Sequence, residues 1–165
     1  MFQHDDTLVE AVHFSRLDPD NVFSTVSSHE FELEGQSWPT VEHYYQAKKF
    51  QRSSDMESIL ASPDGLQAYR RGNRWWKRGR LPTWKQNRRI MMTRALYTKT
   101  MAHKAVREAL LATGDEKIVE TSLYSPYWGI GRDQRGENML GQIWMDIRAK
   151  IRADMRVSEL KMVKE

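Results

Sequence analysis

The 165-residue chain contains no cysteine. That excludes disulfides and thiolate metal sites, and it accords with a reducing compartment. No stretch approaches the roughly 20 apolar residues that a membrane-spanning helix needs. No apolar N-terminal run follows a basic segment, so a secretory leader is not expected. These absences set the expectation of a cytoplasmic protein with no membrane partner. The five histidines are scattered without HExxH or other ligand spacing, so no metal site is expected. A nucleophile elbow, a Walker loop and a complete dinucleotide fingerprint are also missing, and no cofactor is expected.

One further absence is local. Residues 65–107 hold 13 Lys/Arg and not a single Asp or Glu, whereas residues 1–64 hold 12 Asp/Glu and 4 Lys/Arg. Half of the 26 basic residues therefore fall in one acid-free window. The block includes Arg70, Arg71, Arg74, Lys77, Arg78, Arg80, Lys85, Arg88, Arg89 and Arg94, interleaved with Trp75, Trp76 and Trp84. A solvated helix face is the plainer account. A phosphate-bearing ligand or a nucleic-acid backbone explains the missing acids better.

The length suits one domain, and neither a repeat nor a linker interrupts it. "TLVEAVHF" and "VFSTVSS" alternate weakly and read as strands. "EFELEG" turns at Glu34-Gly35 into "QSWP", which predicts a hairpin. Thr40 is a candidate N-cap for a helix from Val41. Ser54 and Glu57 have capping-box spacing, Ser62-Pro63 begins another helix that Gly72 closes, and Thr83 opens a longer one. His103 to Thr113 reads as a helix stopped by Gly114, and "KIVETS" as a short strand. A last helix follows the glycine loop, with Leu140, Ile143, Trp144, Ile147 and Ile151 on its apolar face. The charged tail, residues 156–165, is expected to fray. The predicted class is α+β, mostly helical, with a small antiparallel sheet near the N-terminus.

"SWPTVEHYYQAKKF", Ser37 to Phe50, concentrates the chemistry. On a 3.6-residue period Glu42, Tyr45, Gln46 and Lys49 share one face, with Glu42 and Lys49 about 10 Å apart along the axis. That spacing suits two groups flanking one small ligand. Taken alone, such a helix is more simply a surface element. In "YWGIGRDQRGENMLG", Gly129, Gly131 and Gly136 permit tight turns, and Asn138 stands just before a helix whose N–H groups can receive an anion. Trp128 suits either a stacked ligand or the core.

Together "FELEGQSWPTVEHYYQAKKF", "ALLATGDEKIVE" and "YWGIGRDQRGENMLG" resemble the signature segments of the NADAR superfamily, the YbiA-like proteins. The likeness runs from about Val22 to Arg152, in the family's order, within a single domain spanning 1–165. The resemblance implies an N-glycosidase with no metal. Its substrates would be ribosylamino-pyrimidine phosphates of riboflavin synthesis or, close behind, ADP-ribosyl-guanine on nucleic acid. The implied partners are thus a phosphorylated ribosyl or ADP-ribosyl small molecule, or ADP-ribosylated nucleic acid. Glu42 and Lys49 become the catalytic candidates. Trp38, His43, Tyr44, Arg80, Trp84, Trp128, Gly129, Gly131 and Asn138 become candidates for binding substrate. The expected chemistry breaks a C1′–N bond: Glu42 stabilises positive charge on the sugar or orients water, and Lys49 either donates to the leaving group or attacks C1′ as a neutral amine. Two other classes stay open, a non-catalytic reader of ADP-ribose or a related nucleotide and a nucleic-acid-binding module built on the basic block. The chain departs from the family pattern at Thr25 and Val26 (FSTV for FSNF), at Leu81, where an arginine is displaced to Arg80, and at Ser125, where an aspartate is common.

Overall fold

The computed structural model describes residues 11–74 and 79–163. Trp75, Trp76, Lys77 and Arg78 of the basic block, and the start of the first expected strand, lie outside them. The fold is α+β and mostly helical. Its contacts divide into two compact units, Phe14–Glu108 and a second that joins the residues up to His13 with those from Ala109 onward.

The first unit is built around one short helix. Strands β2 (Phe31–Leu33) and β3 (Gln36–Trp38) form the expected antiparallel hairpin, with Phe31 opposite Trp38. Glu34 and Gly35 both take positive φ, 57° and 74°, the backbone that a tight two-residue turn requires. Helix α1 (Val41–Ala47) follows, and Thr40 caps it by accepting the His43 N–H. Every residue of α1 is buried. It packs against α2 (Ser53–Leu60), α3 (Gly65–Gly72) and α4 (Trp84–Ala102). A helix of about two turns has no stability of its own, so its conformation is held by the three helices around it.

Several boundaries differ from the sequence expectation. "VFSTVSS" is a chain of turns, not a strand. The Asn21 side chain accepts the Phe23 N–H at 2.9 Å, and Ser24 Oγ accepts the Val26 N–H at 3.1 Å, so local side-chain bonds replace a ladder. α2 begins one residue before Ser54, after Arg52. α3 is capped by Asp64, whose carboxylate accepts the Gln67 N–H at 2.8 Å, and Gly72 is its last residue, not a stop beyond it. A Cβ at Gly72 would collide with the side-chain oxygen of Gln46 on α1, so glycine permits this close approach.

Strand β1 (Val12–Phe14), whose first two residues belong to the second unit, pairs with β4 (Ile118–Glu120), and the Val12 N–H donates to the Lys117 carbonyl at 2.8 Å. Helix α5 spans Lys104–Ala112, and its last four residues belong to the second unit. Helix α6 (Met139–Met162) buries Leu140, Ile143, Trp144, Ile147 and Ile151, as its periodicity predicts. The charged tail does not fray at 156. It continues as helix to Met162 with its side chains exposed. Among the described residues, no helix is long and apolar enough to cross a membrane, and no group of three or more acids and histidines is placed to hold a metal ion.

Candidate active site

α1 sorts its side chains by face, and the face with Glu42 holds a buried carboxylate and its guanidinium partner. Glu42 is fully buried, an unfavourable place for a carboxylate unless every lone pair is met. Here they are met. Arg16 Nη2 donates to both oxygens, at 2.8 and 3.1 Å. The Thr25 hydroxyl donates to Oε2 at 2.6 Å, and the Gln46 amide donates to Oε1. The Glu42 backbone N–H, left over at the start of the helix, donates to the Thr25 carbonyl at 2.8 Å. The Gln46 amide oxygen lies buried against Gly72 without a partner. Reversing the amide would set that oxygen against the Glu42 carboxylate, which fixes the orientation seen.

Arg16 is itself buried between two rings, with its guanidinium 5.3 Å from the Tyr45 centroid and 5.5 Å from Tyr69. Burial opposes its charge, yet Glu42, Tyr45 and Tyr69 hold its pKa above the ordinary arginine value. The pair is a fixed internal dipole, and removing one partner would strand the other charge.

Lys49 follows the C-cap of α1, seven residues after Glu42, and is 6% exposed. Its amine donates to Asn73 Oδ1 at 3.0 Å and sits 5.2 Å from the Tyr45 ring. Burial pushes its pKa down to about 7. Glu42 opposes that shift, and Arg16 and Arg80 add to it. That shift favours the unprotonated form of the amine, which is the nucleophilic one. The chain beyond α1 fixes these neighbours: the Lys49 carbonyl accepts the Leu81 N–H at 2.8 Å, and Phe50 pairs with Arg80. Trp84 opens α4 with its ring 5.0 Å from Tyr45. Tyr45 is pushed up to about 12, chiefly by burial, so it stays a neutral phenol.

Of the residues that the sequence proposes for the site, Glu42, Lys49, Arg80 and Trp84 come together here. Trp38, His43 and Tyr44 stand elsewhere around the helix. The Trp38 indole N–H donates to the Leu33 carbonyl at 3.1 Å and its ring meets Tyr44 edge-on at 5.3 Å. Tyr44 reaches Glu34 at 3.2 Å, and its hydroxyl is pushed up to about 12 by burial. Beside them Gln36, Trp38, Lys48, Met56 and Leu60 line an open groove of about 280 Å³. His43 is fully buried with both ring nitrogens engaged, Nδ1 with Thr40 Oγ1 at 2.8 Å and Nε2 with the Ser62 carbonyl at 3.1 Å. A carbonyl only accepts, so Nε2 carries the proton. Burial lowers the His43 pKa and keeps the ring neutral.

Trp128, Gly129, Gly131 and Asn138 belong to the second unit. Gly129 lies against Glu120, where a Cβ would collide with the carboxylate. Gly131 sits in a turn at φ +68°. The Asn138 amide is committed to β4: its oxygen accepts the Glu120 N–H and its nitrogen donates to the Ile118 carbonyl, both at 2.9 Å. The Met139 and Leu140 N–H groups donate to the Tyr127 and Trp128 carbonyls at 3.0 Å. That differs from the expected anion-receiving helix start, because the glycine loop folds its own carbonyls over those donors. Trp128 is 5% exposed, with its ring 4.7 Å from Tyr127.

Arg16, Thr25, Gln46, Tyr45, Tyr69 and Asn73 were not among the proposed site residues. The helical period places Tyr45 and Gln46 on the Glu42 face, which is a signal available in advance. Nothing in the spacing announces the others. The departures from the family pattern also find places. Thr25 supplies a donor to Glu42. The Val26 backbone lies where a Cβ on Gly65 would come within 2.6 Å. Leu81 supplies the N–H that anchors Lys49. Ser125 accepts the Gly129 N–H through its carbonyl at 3.0 Å and the Trp128 N–H through its hydroxyl at 3.2 Å.

A desolvated amine thus stands near a buried carboxylate–guanidinium pair. The NADAR domain model matches residues 1–152, and the chain belongs to that family. It is 37% identical over 140 residues to "N-glycosidase Npun_R5314" of Nostoc punctiforme, covering 81% of this chain and 87% of that protein. It is 33% identical over 146 residues to "N-glycosidase YbiA" of Escherichia coli, covering 88% and 89%. The NMR structure of E. coli YbiA superposes with a TM-score of 0.77, at 32% identity over 88% of this chain and 86% of that one. "Riboflavin biosynthesis protein VVA0006" of Vibrio vulnificus is 35% identical over 121 residues, 72% of this chain but 32% of that longer protein.

Proposed function

We propose that this N-glycosidase of the NADAR family cleaves the C1′–N bond of a phosphoribosyl N-glycoside, with ribosylamino-pyrimidine phosphates as the favoured class. The relatives named N-glycosidase, matched over most of their length, support the reaction type. The relative named for riboflavin biosynthesis supports the substrate class. The single observation that carries the assignment to this site is the buried Lys49 amine, near neutral pKa, just past the end of the helix that holds the caged Glu42. The cations Arg16, Arg80 and Arg88 act on Tyr45 and Lys49. A surplus of positive charge over the one carboxylate favours an anionic substrate.

The proposed steps follow from these roles. A ribosylamine opens its ring to an imine at C1′. Neutral Lys49 adds to that carbon, giving a tetrahedral centre that carries two nitrogens. The pyrimidine amine leaves with a proton and its bonding electrons, and Lys49 remains joined to C1′ as an imine. Water adds, the sugar departs as its aldehyde, and the amine is restored. Each imine becomes more reactive when protonated, and the Glu42 charge stabilises that cation. The Glu42 oxygens are occupied by Arg16, Thr25 and Gln46, which favours an electrostatic role over proton shuttling.

The test is incubation of the full chain with a ribosylamino-pyrimidine phosphate and, separately, with an ADP-ribosylated guanine oligonucleotide. Mass spectrometry identifies the released sugar, and borohydride traps any lysine imine. Release of ribose phosphate with Lys49 labelled is the expected result. Release only from the oligonucleotide would move the substrate to ADP-ribosylated nucleic acid. Binding of ADP-ribose with no release from either would make the protein a reader and overturn the proposal.

A further inference from the structure

The first unit buries a second lysine, Lys99 on α4, which the steps above do not use. Its amine donates to the Val22 carbonyl at 2.6 Å, the Ser24 carbonyl at 2.9 Å and Ser27 Oγ at 2.7 Å. Ser27 Oγ also donates to the Ser24 carbonyl at 3.2 Å, so it accepts from the lysine. Three N–H donors meet three acceptors, as around a bound cation. The side chain is fully buried; burial lowers its pKa to about 7, while the three acceptors around the amine favour the charged form that donates to all of them. A methionine would fill the same space without the desolvation cost, so the charge has a use.

That use lies in what it gathers. Residues 22–27 form no ladder, so their carbonyls need other donors. This loop presents Thr25, whose carbonyl receives the Glu42 N–H at 2.8 Å and whose hydroxyl reaches Oε2 at 2.6 Å. His29 faces the same cluster, with Nδ1 3.0 Å from Ser27 Oγ and its ring 5.1 Å from His103. Burial, Lys99 and His103 push the His29 pKa down to about 4, so it adds no charge at neutral pH.

We propose that Lys99 is a positioning residue for the glycosidase site: its ammonium organises the 22–27 loop, and the loop in turn holds Glu42 through Thr25. The catalytic consequence rests on the function proposed above, whereas the structural link does not.

The experiment is amide hydrogen exchange by NMR on the full chain and on Lys99→Met. The Glu42 N–H, bonded to the loop and not within α1, should exchange at least about tenfold faster, while Leu96 in α4 changes by less than about threefold. With a ribosylamino-pyrimidine phosphate, kcat should fall about tenfold and KM stay within about twofold. In a Thr25→Val background, Lys99→Met should add less than about twofold to the loss of kcat, because both act through one path. Unchanged Glu42 exchange, equal acceleration at Leu96, or simple multiplication of the two kcat losses would overturn the proposal. Should Lys99→Met fail to fold, Ser27→Ala decides: about threefold faster Glu42 exchange supports the link, and no change overturns it. Exchange at Glu42 needs no substrate, so a wrong substrate class and a wrong role for Lys99 give different results.

Discussion

Lys48 and Lys49 are adjacent in sequence and occupy opposite environments. Lys48 forms an ion pair with Glu34 at the surface and lies 5.9 Å from the Trp38 ring and 5.5 Å from Tyr44. Lys49 is buried and is held by Asn73, beside Tyr45 and near Arg16 and Arg80. Both have aromatic neighbours, and both follow the same short helix. What separates them is solvent. A surface ion pair contributes about 0–1 kcal/mol. A desolvated amine among cations is drawn toward the neutral, reactive form. The proposed chemistry belongs to the desolvated lysine, whereas Lys48 faces the hairpin and its groove.

The comparison breaks first at Lys49. Lys49→Ala should lower turnover of a ribosylamino-pyrimidine phosphate by about a thousandfold or more and abolish borohydride trapping. The pH profile sharpens the same point. If Lys49 attacks as a free amine, kcat/KM rises as pH passes upward through about 7, since the amine loses its proton there. If Lys49 instead donates a proton to the leaving group, the rate falls over that interval.

Glu42→Gln should lower kcat by about a hundredfold. It also leaves Arg16 buried beside a neutral amide, at a stability cost on the order of 3 kcal/mol, measurable by urea denaturation. A variant with wild-type stability and rate would remove the ion pair from both accounts. Gly72→Ala should have a smaller effect, about tenfold in kcat with a stability loss of about 1–3 kcal/mol, because the new Cβ displaces Gln46 from Glu42. Lys48→Ala should be the mildest, within about threefold in kcat and 1 kcal/mol in stability. A loss equal to that of Lys49→Ala would show that local charge, not one desolvated amine, drives the reaction.

Parts of this site were visible in the sequence. A helical period places Glu42, Tyr45, Gln46 and Lys49 on one stripe, and the structure keeps that stripe together. The same motif also contains Trp38, His43 and Tyr44, and proximity along the chain made them equally attractive. In three dimensions His43 ties Thr40 to the Ser62 carbonyl, and Tyr44 packs edge-on against Trp38 of the hairpin. Asn138 reads as a helix-start ligand group, yet its amide is used by β4. Polar residues of this kind serve a buried backbone as readily as a substrate, and only their partners distinguish the two.

The sequence by itself determined the family, the α+β class, the hairpin turn at Glu34-Gly35 and the Glu42–Lys49 stripe. Each is encoded by local spacing or by turn chemistry that acts over a few residues. Only the tertiary structure decided how Glu42 survives burial and why Lys49 differs from Lys48. Arg16 lies 26 positions before Glu42, Thr25 17 before it, and Asn73 24 after Lys49. Desolvation and charge pairing depend on distance in space. A pKa near 7 therefore arises only when packing removes water and brings these remote groups within a few ångströms of the amine.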